Sequence, residues 1–551
     1  MLSNSGKRTE IKYPAMLLLT WGLFFVILFS RILYFKPGGL YAGCVNVWSD
    51  WSLHIGMASI FAYKSPAYWF SYHPMFADGQ LTYPFLTNMI SGFMMRAGFS
   101  LTQAFIWPSI AFSLALLSGM YALWRMLLRS PGKAYLAISL FFLSAGLGFL
   151  SFLVDLSRNP GLGMFLNPPL EYSRLDSFQW YAGNFVTGML APQRAFLLGM
   201  ALAVWSLAGL LYVLLKRESG EKDKIILFIS GCLAGILPVV HPHSLIALVF
   251  LSGLICLASL KKWKLLCYYV IPAALISATL YFVFIHGGIN NPHFMSFRRG
   301  YSNDGLKGFV KFWFWVWGFM IPAAIAGFAF FTRGKPPVIK AFFAGFFLLF
   351  VLANFIVFQP VLWDNSKIFL WCYFGFSALA AELIAWLWNK KLAMKALSAI
   401  LVLLLTFTGM LELIHLQRID KNSYQMLSND EIAIAQEIRE KTGPLERFAT
   451  SFTHKNPVMV LGCRPILLGF TPWAWNFGFN YGETERDVRA MYLGGPDAAE
   501  LIARHKVSYV YISPAEMEDL KANQSYFEGG FPLAFRRGDI SVYDVRSAWG
   551  K

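Results

Sequence analysis

The chain has 551 residues, of which 57% are hydrophobic and only 14% charged, a balance that excludes an ordinary soluble protein. Its net charge of +17 would suit a nucleic-acid binder, but the basic residues fall in alternate loops between apolar runs. That distribution orients membrane spans and removes nucleic acid from the partners.

A span needs about 20 apolar residues to cross a hydrocarbon core ~30 Å thick. In chain order such runs predict about eleven spans, at 14–35, 102–127, 134–154, 194–215, 225–241, 244–260, 265–285, 311–332, 338–358, 367–388 and 392–414. Lys7, Arg8 and Lys12 place the N-terminus in the cytoplasm, and the clusters Arg125/Arg129/Lys133, Lys216/Arg217/Lys222/Lys224, Lys261/Lys262/Lys264, Arg333/Lys335/Lys340 and Lys390/Lys391/Lys395 continue the alternation. The first apolar run has no A-x-A cleavage site and reads as a signal anchor. The expected fold is therefore mainly α: a polytopic helical bundle in the plasma (inner) membrane, residues 1–416, with a small extracytoplasmic α/β domain, residues 417–551.

The tail carries its own signals. Ser428 with Glu431 spells a capping box before a helix that Gly443-Pro444 ends. Strands are expected at 447–450, 458–461, 507–512 and 540–545, and a helix from Pro496 to about Lys506. Trp473, Trp475, Asn476, Phe477 and Tyr481 form a patch suited either to covering an acceptor sugar or to core packing. Cys44 and Cys463 both face outside and are candidates for a disulfide.

With the orienting charges set aside, ionisable groups gather in the outer loops, while the span interiors are nearly free of them. That favours chemistry at one interface over a transport path. In the first loop, Ser49 or Asp50 caps a helix running through His54, and Asp50 and His54 share one face of it. Asp50 is either a general base beside lipid or only the cap; His54 either binds substrate or hydrogen-bonds locally. Asp78 lies further along the same loop. Arg194, in Pro192-Gln193-Arg194, offers a donor fork for phosphate or snorkels to the interface. His241 and His243 would take a pyrophosphate or a metal, or pack as polar residues. Arg298 and Arg299 suit a phosphate or anionic headgroups. Lys367 suits a lipid phosphate, with Asp364 as its ion-pair partner. A Walker or GxGxxG motif, a CxxC and zinc spacing are all absent. A divalent metal is the one cofactor left open.

Asp50 directly after the first span, the aromatic first loop and the many spans resemble the GT-C glycosyltransferases, which take sugars from polyprenyl-phosphate carriers. The matching phrases are Ser49-Asp50-Trp51-Ser52-Leu53-His54, Pro192-Gln193-Arg194 and Trp363-Asp364-Asn365-Ser366-Lys367. Gly462-Cys463-Arg464 and the segment from Tyr481 to Val488 resemble the globular domain of bacterial members with an outside C-terminal domain. GT-C loops often carry an acidic pair, whereas Trp51 follows Asp50 here; Asp78 or Asp176 would have to supply the second acid. The resemblance implies inverting transfer of a sugar from a polyprenyl-phosphate donor to a hydroxyl on a glycan, lipid or protein, with Asp50 as base. Binding is then assigned to His54, Asp78, Arg194, His241, His243, Arg298, Arg299, Asp364 and Lys367. The alternatives are a lipid or polysaccharide transporter, which would need repeats and broken helices, and a non-catalytic membrane scaffold.

Overall fold

The computed structural model describes residues 4–47, 50–288, 291, 294–298, 300 and 305–550, without the side chains of 4–10, 45, 305, 306 and 420. Seven described helices are long and apolar enough to cross a membrane: Ile11–Ser30, Leu101–Leu128, Arg194–Leu214, Leu260–Ile285, Pro337–Phe355, Leu362–Trp388 and Leu392–Leu416. An eighth span is counted if the pair Lys307–Trp317 and Met320–Phe331, bent by 88°, is taken as one. This is a mainly helical, multi-pass membrane protein with a small sheet-bearing region.

The other expected spans are shorter helices, for identifiable reasons. The run 134–154 divides into Pro131–Phe142 and Phe149–Arg158. Between them Gly146 and Gly148 let other backbone in: a Cβ on either would lie 1.9 Å from the carbonyl oxygen of Trp315 or of Tyr172. Glu221–Gly235 gives way to a 3₁₀ turn containing Pro238, and Pro242 opens the next helix, Pro242–Leu257.

By contacts the chain forms two units, Met1–Ser30 with Ser109–Phe282 and His293–Asn422, and Arg31–Pro108 with Val283–Pro292 and Ser423–Lys551. The first has helix Ser366–Trp388 at its centre, buried from Ser366 to Ala381. Small residues allow its neighbours to close, as transmembrane packing requires. A Cβ on Gly375 would meet the Phe346 ring at 2.1 Å, and one on Gly327 the Leu379 carbonyl at 2.1 Å. Trp124 fills the remaining space against Phe374, ring centroids 4.5 Å apart. Helices such as Trp263–Leu280 instead leave Ile271 and Leu275 exposed, the surface a lipid-facing helix presents.

In the second unit the first long loop and the tail fold together. The hairpin Leu33–Lys36 and Gly39–Ala42 adds the tail strand Tyr424–Ser428, antiparallel throughout. A second sheet has the order Arg447–Ala449, Val507–Ile512, Ile540–Asp544, Leu533–Arg537, with only the first pair parallel. Helices pack on it through Val488, Tyr492, Ile502 and Phe527. The Ser428 capping box forms, with Ser428 Oγ accepting from the Glu431 amide at 3.2 Å and Glu431 Oε2 from the Ser428 amide at 2.7 Å. Residues 458–461 are not a strand. Asn456 Oδ1 accepts from the Val458 amide at 2.9 Å and starts a short helix, Pro457–Val460. This helix lies on Asp50–Tyr63, where Ser59 Oγ donates to the Val460 carbonyl at 3.0 Å. Cys44 and Cys463 are both buried and not joined, so the candidate disulfide is not formed.

Candidate functional site

Helix Asp50–Tyr63 begins at Asp50, and Trp51 to Ala62 are all buried. An aspartate in the first turn complements the helix dipole. Close packing keeps the helix in place. Gly92 of helix Leu86–Arg96 would put a Cβ 2.5 Å from Phe61 Cβ and 2.6 Å from the Ala58 carbonyl. Asp50 is half-buried. Its carboxylate acts on the phenol of Tyr424, whose pKa is raised first by burial and then by Asp50. One turn on, His54 is buried and its Nδ1 lies 3.0 Å from Asn88 Nδ2. The Tyr83 ring follows, with centroids 6.3 Å apart. Asn88 Oδ1 and Thr87 Oγ1 are buried without a hydrogen-bond partner among the described residues, which leaves acceptors that a hydroxyl ligand would satisfy.

Asp78 is engaged elsewhere in this unit, 2.7 Å from Arg447 Nη1. Asp176, in the membrane unit, pairs with Arg174 at 2.7 Å. Among the described residues no three His, Cys, Asp or Glu side chains converge on a metal position.

The membrane unit brings together a second group. Arg194 opens helix Arg194–Leu214, fully buried, with Nε donating to Ser109 Oγ at 3.0 Å. Two residues on, Phe196 stacks on the His241 ring, centroids 4.4 Å apart. Gly199 makes room: a Cβ there would be 2.6 Å from His241 Cβ. His241 caps helix Pro242–Leu257, its Nδ1 taking the Ser244 amide at 3.2 Å. The His243 ring is 5.5 Å away, and its buried Nε2 has no hydrogen-bond partner among the described residues. Lys367 acts electrostatically on both imidazoles and lies 3.0 Å from Asp364 Oδ1, the two side chains being only 9% and 10% exposed. Asn365 fixes this turn by donating to the carbonyls of Ala353 at 2.7 Å and Ile356 at 2.9 Å. Arg298 lies beside the same turn, its amide donating to the Phe355 carbonyl at 2.8 Å and its Nε to the Gly300 carbonyl at 3.0 Å. Arg299 lies outside the described residues. The turn thus gathers a buried lysine–aspartate pair close enough to act on two buried imidazoles.

Three buried groups were given no role by the sequence. Glu412, in the last long helix, accepts from the Ser173 amide at 2.7 Å. Lys64, at the end of the Asp50 helix, donates to the Tyr72 hydroxyl at 2.7 Å and to the Pro444 carbonyl. Burial lowers the pKa of Lys64 to about 7. Arg464, within the Gly462-Cys463-Arg464 phrase, caps helix Asn429–Lys441, with Nη2 donating to the Arg439 and Thr442 carbonyls, both at 2.7 Å. The candidate patch from Trp473 also divides. Phe477 packs against His73 at 4.8 Å and Tyr83 at 5.4 Å, while Trp475 remains exposed.

No family model matches the sequence, and no curated protein does. Solved structures are similar in fold. The oligosaccharyltransferase of Archaeoglobus fulgidus in its apo form gives a TM-score of 0.54 at 11% identity, covering 93% of this chain and 71% of that one. The same enzyme in complex with Zn and sulfate gives 0.53 at 13% identity, covering 91% and 68%. The arabinofuranosyltransferase AftD from Mycobacteria gives 0.58 at 15% identity, covering 96% of this chain but 41% of its own length.

Proposed function

We propose that this chain, which has the fold of the GT-C membrane glycosyltransferases, moves a sugar from a polyprenyl-phosphate carrier to a hydroxyl of a glycan, lipid or protein on the outer face of the plasma membrane. Residues 1–416 would carry the transfer and residues 417–551 would fold over the first loop. Asp50 takes the acceptor's proton as that oxygen bonds to the anomeric carbon, which requires a carboxylate within hydrogen-bond reach. The bond from the anomeric carbon to the carrier oxygen breaks in the same displacement, so the configuration inverts. The leaving phosphate keeps the electron pair, and Arg194, His243, Lys367, Arg298 and Arg299 hold its charge. His54 and Asp78 bind on the acceptor side in this scheme; His241 orients the phosphate site, and Asp364 positions Lys367.

The observation that carries the reading is Asp50 at the start of a buried helix, with a phenol beside it and the His54–Asn88 pair one turn on. The test supplies purified protein in nanodiscs with radiolabelled polyprenyl-phosphate pentose and hexose, with and without a chelator. NMR then reads the anomeric configuration of any product. An inverted product supports the reading; a retained configuration overturns the single displacement, and chelator sensitivity would assign a metal. One observation favours transport instead, the 88° bend at Gly318 between two apolar helices. Flux of a lipid-linked sugar without chemical transfer would select that reading.

A further inference from the structure

The loop-and-tail unit holds a cleft of about 430 Å³, within the ~300–1,000 Å³ range of small-ligand pockets. It is lined by the turn 443–445 and by Tyr68, Glu446, Arg447, Lys506, Ser508 and Trp549. Trp549 is 46% exposed although its Nε1 already donates to the Val507 carbonyl at 2.8 Å. The hydrogen bond holds a half-exposed aromatic ring at the cleft, the kind of surface on which a sugar ring can stack.

The charges of the cleft are unequal. Glu446 is drawn to Arg546 Nη1 at 3.0 Å, and Arg447 shares its charge with Asp78. Lys506 is exposed, and no described carboxylate pairs with it. It stands at φ +51°, where the chain leaves helix Pro496–Arg504 for strand Val507–Ile512. Glycine or asparagine is the usual residue in that left-handed position. A lysine there pays for a strained backbone and places an ammonium at the rim.

We infer that this cleft binds an anionic sugar, whose ring stacks on Trp549 and whose carboxylate or phosphate is taken by Lys506 and Arg447. Arg447 also pairs with Asp78, which the proposed scheme places on the acceptor side, but binding at the cleft can be measured without transfer. Calorimetry on the full-length purified chain would use trigalacturonate, its trimethyl ester and glucose 6-phosphate. At least one anion should bind. The ester should bind about tenfold more weakly than the acid, or not at all, because it lacks the charge-assisted bonds. Lys506→Gly should weaken the anion by about tenfold without lowering the unfolding temperature, since glycine suits that backbone. Trp549→Ala should weaken it as well. Whichever anion binds more tightly distinguishes a carboxylate from a phosphate ligand. The proposal is overturned if neither anion binds at millimolar concentration, if the ester binds as tightly as the acid, or if Lys506→Gly binds normally.

Discussion

Two buried cation sites, one in each unit, are built by different means. In the membrane unit Lys367 lies 3.0 Å from the Asp364 carboxylate. In the loop-and-tail unit Lys64 and Arg464 are held by a phenol, a hydroxyl and backbone carbonyls. A low-dielectric interior penalises an isolated charge heavily, so a cation there is stable when an anion lies beside it. Burial disfavours the ammonium, and with no described carboxylate beside it to offset that cost the Lys64 pKa is pushed down to about 7. Asp50 is half-buried in the loop-and-tail unit, its charge acting on the Tyr424 phenol, with His54 a turn on.

The largest test of this contrast is Lys367→Ala, which strands Asp364 in a buried site. Breaking such a pair should cost about 3–5 kcal/mol, read from denaturant unfolding of the purified protein. The double variant Asp364→Asn/Lys367→Met should recover most of that loss yet fail to bind the donor phosphate. A cost near zero for Lys367→Ala would mean that the pair is solvated.

Lys64 gives an intermediate effect, through pH. Burial lowers its folded pKa from 10.5 to about 7, so between these values the unfolded chain binds the extra proton. Stability contributed by this group should therefore rise with pH across that window, by at most ~1.4 kcal/mol per pH unit. Thermal unfolding of wild type at pH 7.5 and 9 should show the rise, and Lys64→Met should flatten it. The smallest effect belongs to Ser428→Ala, which removes a helix cap and should cost about 1 kcal/mol. A larger loss would tie the capping box to the strand Tyr424–Ser428 beside it.

Much of this architecture was legible in the chain. Long apolar runs mark the seven long helices, because twenty apolar residues have few other uses. Asp50 at a helix start, the Ser428–Glu431 box and strand Val507–Ile512 follow from local chemistry. The division of 134–154 does not, because it depends on Trp315 and Tyr172 approaching Gly146 and Gly148 from elsewhere. Residues 458–461 look β-branched enough for a strand, but Asn456-Pro457 is a helix start and prevailed. Leu533–Arg537 was missed since an edge strand with exposed arginines has no apolar alternation. Of the candidate site, His241, His243, Lys367 and Asp364 do meet, whereas Asp78 is taken by Arg447. Lys64 and Arg464 were hidden because their partners include backbone carbonyls, which every residue carries.

The most direct test of the central claim compares wild type with Asp50→Asn in transfer from a radiolabelled polyprenyl-phosphate sugar, at equal folded protein. The account predicts transfer by wild type and a loss of about 10²–10⁴-fold in the variant, with an unchanged unfolding temperature. Equal transfer by both proteins would contradict the assignment of Asp50 as the base.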